Sequence, residues 1–135
     1  DICQEVCPVN TVRSSNTPNE KFEFTPDKAY LDPIEILQMD EETFKNVFQG
    51  RAIRRATWHG LQRNACIVLG NIGDESVVPA LIDALNSDSD LVRGHAAWAL
   101  GKISGSKGKQ ALEIRISIEK DKWVASEINE ALKKF

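Results

Sequence analysis

Two stretches of this chain carry residue types at spacings that do chemistry. The first is DICQEVCPVN, where Cys3 and Cys7 sit four apart and Pro8 follows the second. Thiolates at short spacing before a proline are the donor pattern of iron–sulfur runs, and a [4Fe–4S] cluster takes four of them. A pair of free thiols is the competing reading, and the pair alone does not decide. The second stretch is GRAIRRATWHGLQRN, which places Arg51, Arg54 and Arg55 at i, i+3 and i+4, with Arg63 and Asn64 further on. On a helix that spacing puts all three arginines on one face. Guanidinium groups offer forked donors that match phosphate oxygens. A solvated helix face, or arginines paired with acids from residues 1–50, would look the same in sequence.

Charge makes the arginine stretch stand out. The 135 residues sum to a net charge of -3, but residues 1–50 hold four basic and ten acidic side chains, whereas residues 51–73 hold four arginines and no acid. A second acid-free stretch, from Leu91 to Leu112, carries Arg93, Lys102, Lys107 and Lys109. Local basic blocks on an acidic chain suggest a specific anionic partner rather than general stickiness. Lys102 and SGSKGK fall at a turn between helices, either as an extension of a basic track or as a solvated loop. His59 and His95 lack partners at metal or triad spacing, and no Walker loop or Rossmann fingerprint occurs. No catalytic residue is assigned. Trp58 either stacks on a base or packs between helices; Trp98 falls in an apolar stripe and reads as core. With three cysteines and no apolar run near the roughly 20 residues of a membrane span, a reducing cytoplasm is the expected setting.

The elements that must position these residues are helices. Asp32-Pro33 is a helix start, with Asp as cap and Pro at the first position, and Asp40 opens EETFKNVFQ. From Leu61 the chain repeats. LQRNACIVLG (61–70) aligns with VRGHAAWALG (92–101) at an offset of 31, and PALIDALNSDSD (79–90) aligns with QALEIRISIEKD (110–121) at the same offset. VASEINEALK (124–133) follows at 32. A period near 30 with apolar residues at helical spacing predicts an α-solenoid of paired helices. Leu61, Ala65, Val68 and Leu69 form the expected apolar stripe of one helix. LEIRISIE alternates like a strand, but its repeat partner LIDALNSD is helical, so helix is expected there too. Residues 1–31 read as the remnant of the module that carries the cysteine run followed by a connector, with VRSSNTPNEKFEFTPDKAYLDP extended over a surface and anchored by Phe22, Phe24 and Tyr30; residues 32–60 read as capping helices and 61–135 as the repeats. The half-motif and the missing initiator methionine are what a piece of a longer chain would show.

The repeats resemble HEAT-type repeats of the phycobilisome-lyase variety. The ordered set DICQEVCPVN, then FQGRAIRRATWHGLQRNACIVLGN, then LVRGHAAWALG resembles the C-terminal part of epoxyqueuosine reductases over essentially the whole chain. That family's late cysteine run is C-x2-C-x3-C-P; Cys3, Cys7 and Pro8 match its end, and Val9 stands where the family often has Trp. The resemblance implies a parent oxidoreductase with a cobalamin module and two [4Fe–4S] clusters upstream, fed by an external electron donor. It would convert epoxyqueuosine to queuosine in tRNA. It implies that Cys3 and Cys7 are metal ligands of ancestral type, with no intact cluster expected in this piece. It further implies that Arg51, Arg54, Arg55, Arg63, Asn64, Arg93, Lys102, Lys107 and Lys109 face tRNA, with Asn64 capping backbone between repeats as the alternative. The rival functions are a HEAT-repeat protein–protein scaffold and a related iron–sulfur/cobalamin reductase with another substrate.

Overall fold

The computed structural model describes residues 2–9 and 30–135 and divides into two units, 1–30 and 31–135. In the first unit a short helix, α1 (Ile2–Glu5), opens the cysteine half-motif, and most of the expected connector lies outside the described residues. Phe22 and Phe24 lie outside the described residues, and Tyr30 is 81% exposed rather than an anchor.

The second unit is helical throughout. Helix α2 (Pro33–Gln38) starts as the sequence predicts: Asp32 Oδ1 accepts from the Ile34 N–H at 2.8 Å, and proline occupies the first position. Helix α3 (Glu41–Val47) is capped by Asp40, whose Oδ1 accepts from the Thr43 N–H at 2.7 Å. Gly50, at φ 72°, then turns the chain in the left-handed region that glycine tolerates. A 3-10 turn (Ala52–Ala56) leads into the repeats: α4 (Trp58–Ile72) with α5 (Val78–Ala84), α6 (Asp90–Ile103) with α7 (Ser106–Ile116), and α8 (Lys122–Leu132). The alternating segment is helical through Ile116, and only Ser117 and Ile118 fall in the turn beyond it. Leu112 is fully buried while Ile114 and Ile118, four apart, are exposed at 62% and 60%. The apparent strand pattern therefore mixes one buried and one exposed helical stripe.

Helices α4, α6 and α8 run side by side and form one layer, with α5 and α7 packed behind them. Small residues set the spacing. A Cβ on Gly70 of α4 would lie 2.9 Å from the Ala99 Cα of α6, and one on Gly101 of α6 would lie 2.8 Å from the Ala131 Cα of α8. The glycines at the end of each ALG or VLG run thus let the next helix approach backbone to backbone. The core behind this layer holds Cys66, Leu69, Leu81, Leu85, Ala96, Leu100, Leu112, Val124 and Ile128. A smaller cluster of Ile36, Phe44, Phe48, Leu61 and Ala65 seals the first repeat with α2 and α3. Val68 leaves the expected stripe; it is 45% exposed.

Candidate nucleic-acid interface

Arg51, Arg54 and Arg55 are exposed, and none forms an ion pair among the described residues. They do not share one α-helical face. The chain here forms i→i+3 bonds, with the Arg54 N–H donating to the Arg51 carbonyl at 3.2 Å and Thr57 to Arg54 at 3.2 Å. With three residues per turn, Arg51 and Arg54 stack on one edge while Arg55 is displaced by about 120° around the axis. The three guanidinium groups fan out over an exposed turn.

Thr57 joins this turn to α4 at φ 63° and ψ 164°. That region is almost confined to glycine, and a β-branched residue there stores about 1–3 kcal/mol of strain. The threonine hydroxyl compensates in part by accepting from the Gly60 N–H at 3.2 Å, as the N-cap of α4. Trp58 packs rather than presenting a face for stacking: its indole N–H donates to the Met39 carbonyl at 2.7 Å and its ring stacks on His59. His59 in turn contacts Gln62 and lies 4.0 Å from Asp88, with no metal-type cluster among the described residues.

One turn into α4, Arg63 is half-buried, and its Nε is shielded from solvent without a hydrogen-bond partner among the described residues. An unsatisfied buried donor costs about 1–3 kcal/mol, so this guanidinium gains from an incoming acceptor. Asn64 beside it is exposed.

Arg93 requires a correction. It is 9% exposed and points into the repeat junction, not toward a ligand. Its Nε and Nη2 donate to the two oxygens of Glu119 at 2.9 and 3.1 Å, and its Nη1 donates to the carbonyls of Ser87 and Asp88, both at 3.0 Å. Arg115 adds donors to the same carboxylate at 2.8 and 3.1 Å, and the N–H groups of Lys120 and Asp121 complete it. With its donors so engaged, Arg93 leaves the phosphate set. The Arg93 hydrogen bonds, joined by the Asp121 N–H and by Arg115, hold the Glu119 carboxyl down at about 2, against a desolvation penalty that acts the other way. Gln62, the repeat equivalent of Arg93, does the same job one unit earlier: its amide donates to the Leu37 carbonyl at 3.0 Å.

The lysines separate from the arginines. Lys102 ends α6, and Lys107 and Lys109 are exposed in the first turn of α7. The arginine turn abuts the start of α4, whose neighbour α6 runs parallel to it. The two basic groups therefore mark opposite edges of the layer, about 20 Å apart along a 14-residue helix. A single continuous track is replaced by two basic edges.

The cysteines divide between the units. Cys3 belongs to α1 and Cys7 follows it, half-buried. Cys66 is fully buried in the HEAT core, where burial pushes its thiol up to about 12. It is therefore a packing group and not a thiolate donor. A [4Fe–4S] cluster takes four thiolates, of which Cys3 and Cys7 would supply two.

A model of HEAT repeats matches residues 52–133. The chain belongs to the HEAT-repeat family. Its HEAT helices and the preceding segment are together 35% identical to epoxyqueuosine reductase of Listeria monocytogenes over 95% of this chain and 34% of that enzyme. The enzyme of Bacillus subtilis is 31% identical over 98% of this chain and 34% of its own length. A crystal structure of epoxyqueuosine reductase with a tRNA-Tyr epoxyqueuosine-modified tRNA stem loop superimposes with a TM-score of 0.86 at 29% identity, over 98% of this chain and 35% of that one. The resemblance read from the sequence is borne out, and the HEAT chain spans about a third of the length of these relatives.

Proposed function

We propose that this HEAT-repeat chain holds tRNA against the catalytic modules of an epoxyqueuosine reductase, the cytoplasmic enzyme that converts epoxyqueuosine to queuosine in tRNA. In this reading cobalamin and [4Fe–4S] modules belong to the same parent and draw electrons from an external donor. Cys3 and Cys7 contribute two cluster thiolates. Catalytic groups and cobalamin contacts lie outside the chain, whose own task is positioning.

The observation that carries the reading is the contrast in pairing. Arg51, Arg54, Arg55 and Arg63 have no carboxylate partner among the described residues, whereas Arg93 and Arg115 are both engaged by Glu119. Four uncompensated guanidinium groups beside one helix start form an anion-binding edge, and the solved relative that shares the fold was crystallised with a tRNA stem loop. Asn64 flanks this edge, and Lys102, Lys107 and Lys109 form the second edge for a longer RNA. Titrating the chain with tRNA at several salt concentrations tests this. Four phosphate contacts give a log–log slope on the order of -3, and a flat response overturns the reading.

A protein contact is the second reading. The furrow between α5 and α7, lined by Ile82, Leu85, Ala111, Ile114 and Ile118 together with Asn86 and Arg115, is largely apolar and open. It suits docking onto another module of the parent, and is compatible with RNA at the arginine edge.

A further inference from the structure

The α4–α6–α8 layer contains a cleft that neither the arginine edge nor the core packing explains. Ile67, Gly94, His95, Trp98, Trp123 and Glu127 line a cavity of about 290 Å³. That is at the small end of ligand pockets, which run from roughly 300 to 1,000 Å³, and suits one flat group. Trp123 is 41% exposed and lies against α6 because residue 94 is glycine; a Cβ there would come within 2.4 Å of the indole. Trp98 uses Gly70 in the same way, with the nearest ring carbon 2.8 Å from where a Cβ would be. The His95 ring lies 5.6 Å from that of Trp123. Two indoles and an imidazole thus line one small cleft.

The His95 Nδ1 is 2.8 Å from the Leu91 carbonyl. A carbonyl only accepts, so Nδ1 carries a proton and donates to it. Among the described residues nothing engages the Glu127 carboxylate, which also only accepts. No lysine or arginine lines the cleft, so nothing in its lining pairs with a phosphate. A ligand that fits must be flat, aromatic and edged with N–H donors. Lys102 Nζ, 5.9 Å from the Trp98 ring centroid, supplies a cation beside the cleft for the backbone that carries such a group.

We infer that this cleft is a docking site for an unpaired guanine base, stacked on Trp123 and Trp98, with its N1–H and 2-amino group donating to Glu127. The inference deepens the tRNA reading and rests on it. Guanine is the common base whose Watson–Crick edge presents two adjacent N–H donors to a carboxylate. Stacking an unpaired base on aromatic side chains is how single-stranded RNA is ordinarily read.

The test is a tryptophan-fluorescence titration of the chain with guanosine, which has no phosphate and so does not report on the arginine edge. Guanosine is expected to bind saturably, and inosine, which lacks the 2-amino group, about tenfold more weakly. Glu127→Gln should abolish that preference while melting like the parent. Trp123→Leu should weaken both nucleosides about tenfold. Equal affinity for the two nucleosides, no saturable change, or tighter binding of tetramethylammonium than of guanosine each overturns the base site; the last would mark a cation cage. The same samples titrated with tRNA separate the two proposals. A salt slope near -3 without guanosine binding sinks the cleft and spares the edge. Guanosine binding with a flat tRNA response does the reverse.

Discussion

The two arginine groups of this chain, Arg51/Arg54/Arg55 and Arg93/Arg115, differ in everything except residue type. The first sits on an exposed 3-10 turn and forms no ion pair among the described residues. The second converges on one carboxylate that is 1% exposed and saturated by side-chain and backbone donors. The difference shows what an arginine does when a fold supplies its counter-charge and when it does not. Paired and desolvated, it becomes a structural clamp that ties the loop before α6 to the loop after α7. Unpaired and wet, it keeps its donors for a partner. Exposed arginines contribute little to stability, so the first group costs the fold almost nothing to maintain.

Breaking the clamp gives the largest expected effect. Arg93→Ala leaves Glu119 buried with only Arg115 and the backbone, and breaking such a buried pair costs about 3–5 kcal/mol. Urea unfolding measures it; a loss below 1 kcal/mol would show that the clamp is ornamental. The same carboxylate sets an acid limit. Its folded-state value of about 2 lies below the ordinary 4.5, so its contribution is complete above pH 4.5 and is lost as pH falls toward 2. The Arg93→Ala variant starts with less stability and should therefore unfold at a higher acid midpoint, while the pH-dependent part of its stability shrinks because the Glu119 carboxyl is held down less.

The arginine edge answers to a different measurement. Replacing Arg51, Arg54 and Arg55 together with alanine should lower the magnitude of the tRNA salt slope by about 2–3, roughly one per phosphate contact. The urea midpoint should stay where it is. A shifted midpoint with an unchanged slope would assign these residues to the fold and erase the contrast with Arg93.

Two smaller effects probe how the arginine turn and the repeats are held. Gly70→Ala adds a methyl 2.9 Å from the Ala99 backbone, so it should destabilise by about 1–2 kcal/mol although alanine favours helices. Thr57→Gly should relieve the strained junction and stabilise by about 1 kcal/mol after the loss of the cap and the gain of chain entropy. A destabilised Thr57→Gly would mean that the hydroxyl cap outweighs the strain.

Much of the architecture was legible in sequence because it is local or periodic. Asp32-Pro33 and Asp40 announced their helices, and the 31-residue offset between LQRNACIVLG and VRGHAAWALG announced the solenoid. The repeat correctly overruled the strand-like LEIRISIE. The site was legible only in part. Arg51, Arg54 and Arg55 stood out because the acids are missing nearby in the chain. Arg93 looked equivalent by the same criterion, since residues 91–112 are acid-free, yet its partner Glu119 is 26 positions away. The guanine cleft was missed altogether. Trp98 read as core, and neither Trp123 nor Glu127 drew notice, because their meeting depends on glycines in neighbouring helices.

The sequence by itself determined that this chain is an all-α HEAT repeat array with a cysteine pair and a basic block before it. Apolar period, cap residues and charge counts are properties of neighbours along the chain. Only the tertiary structure decided which arginines are spent and which are free, and where two tryptophans come together. Those outcomes depend on which helices become adjacent and how closely Gly70, Gly94 and Gly101 let them approach.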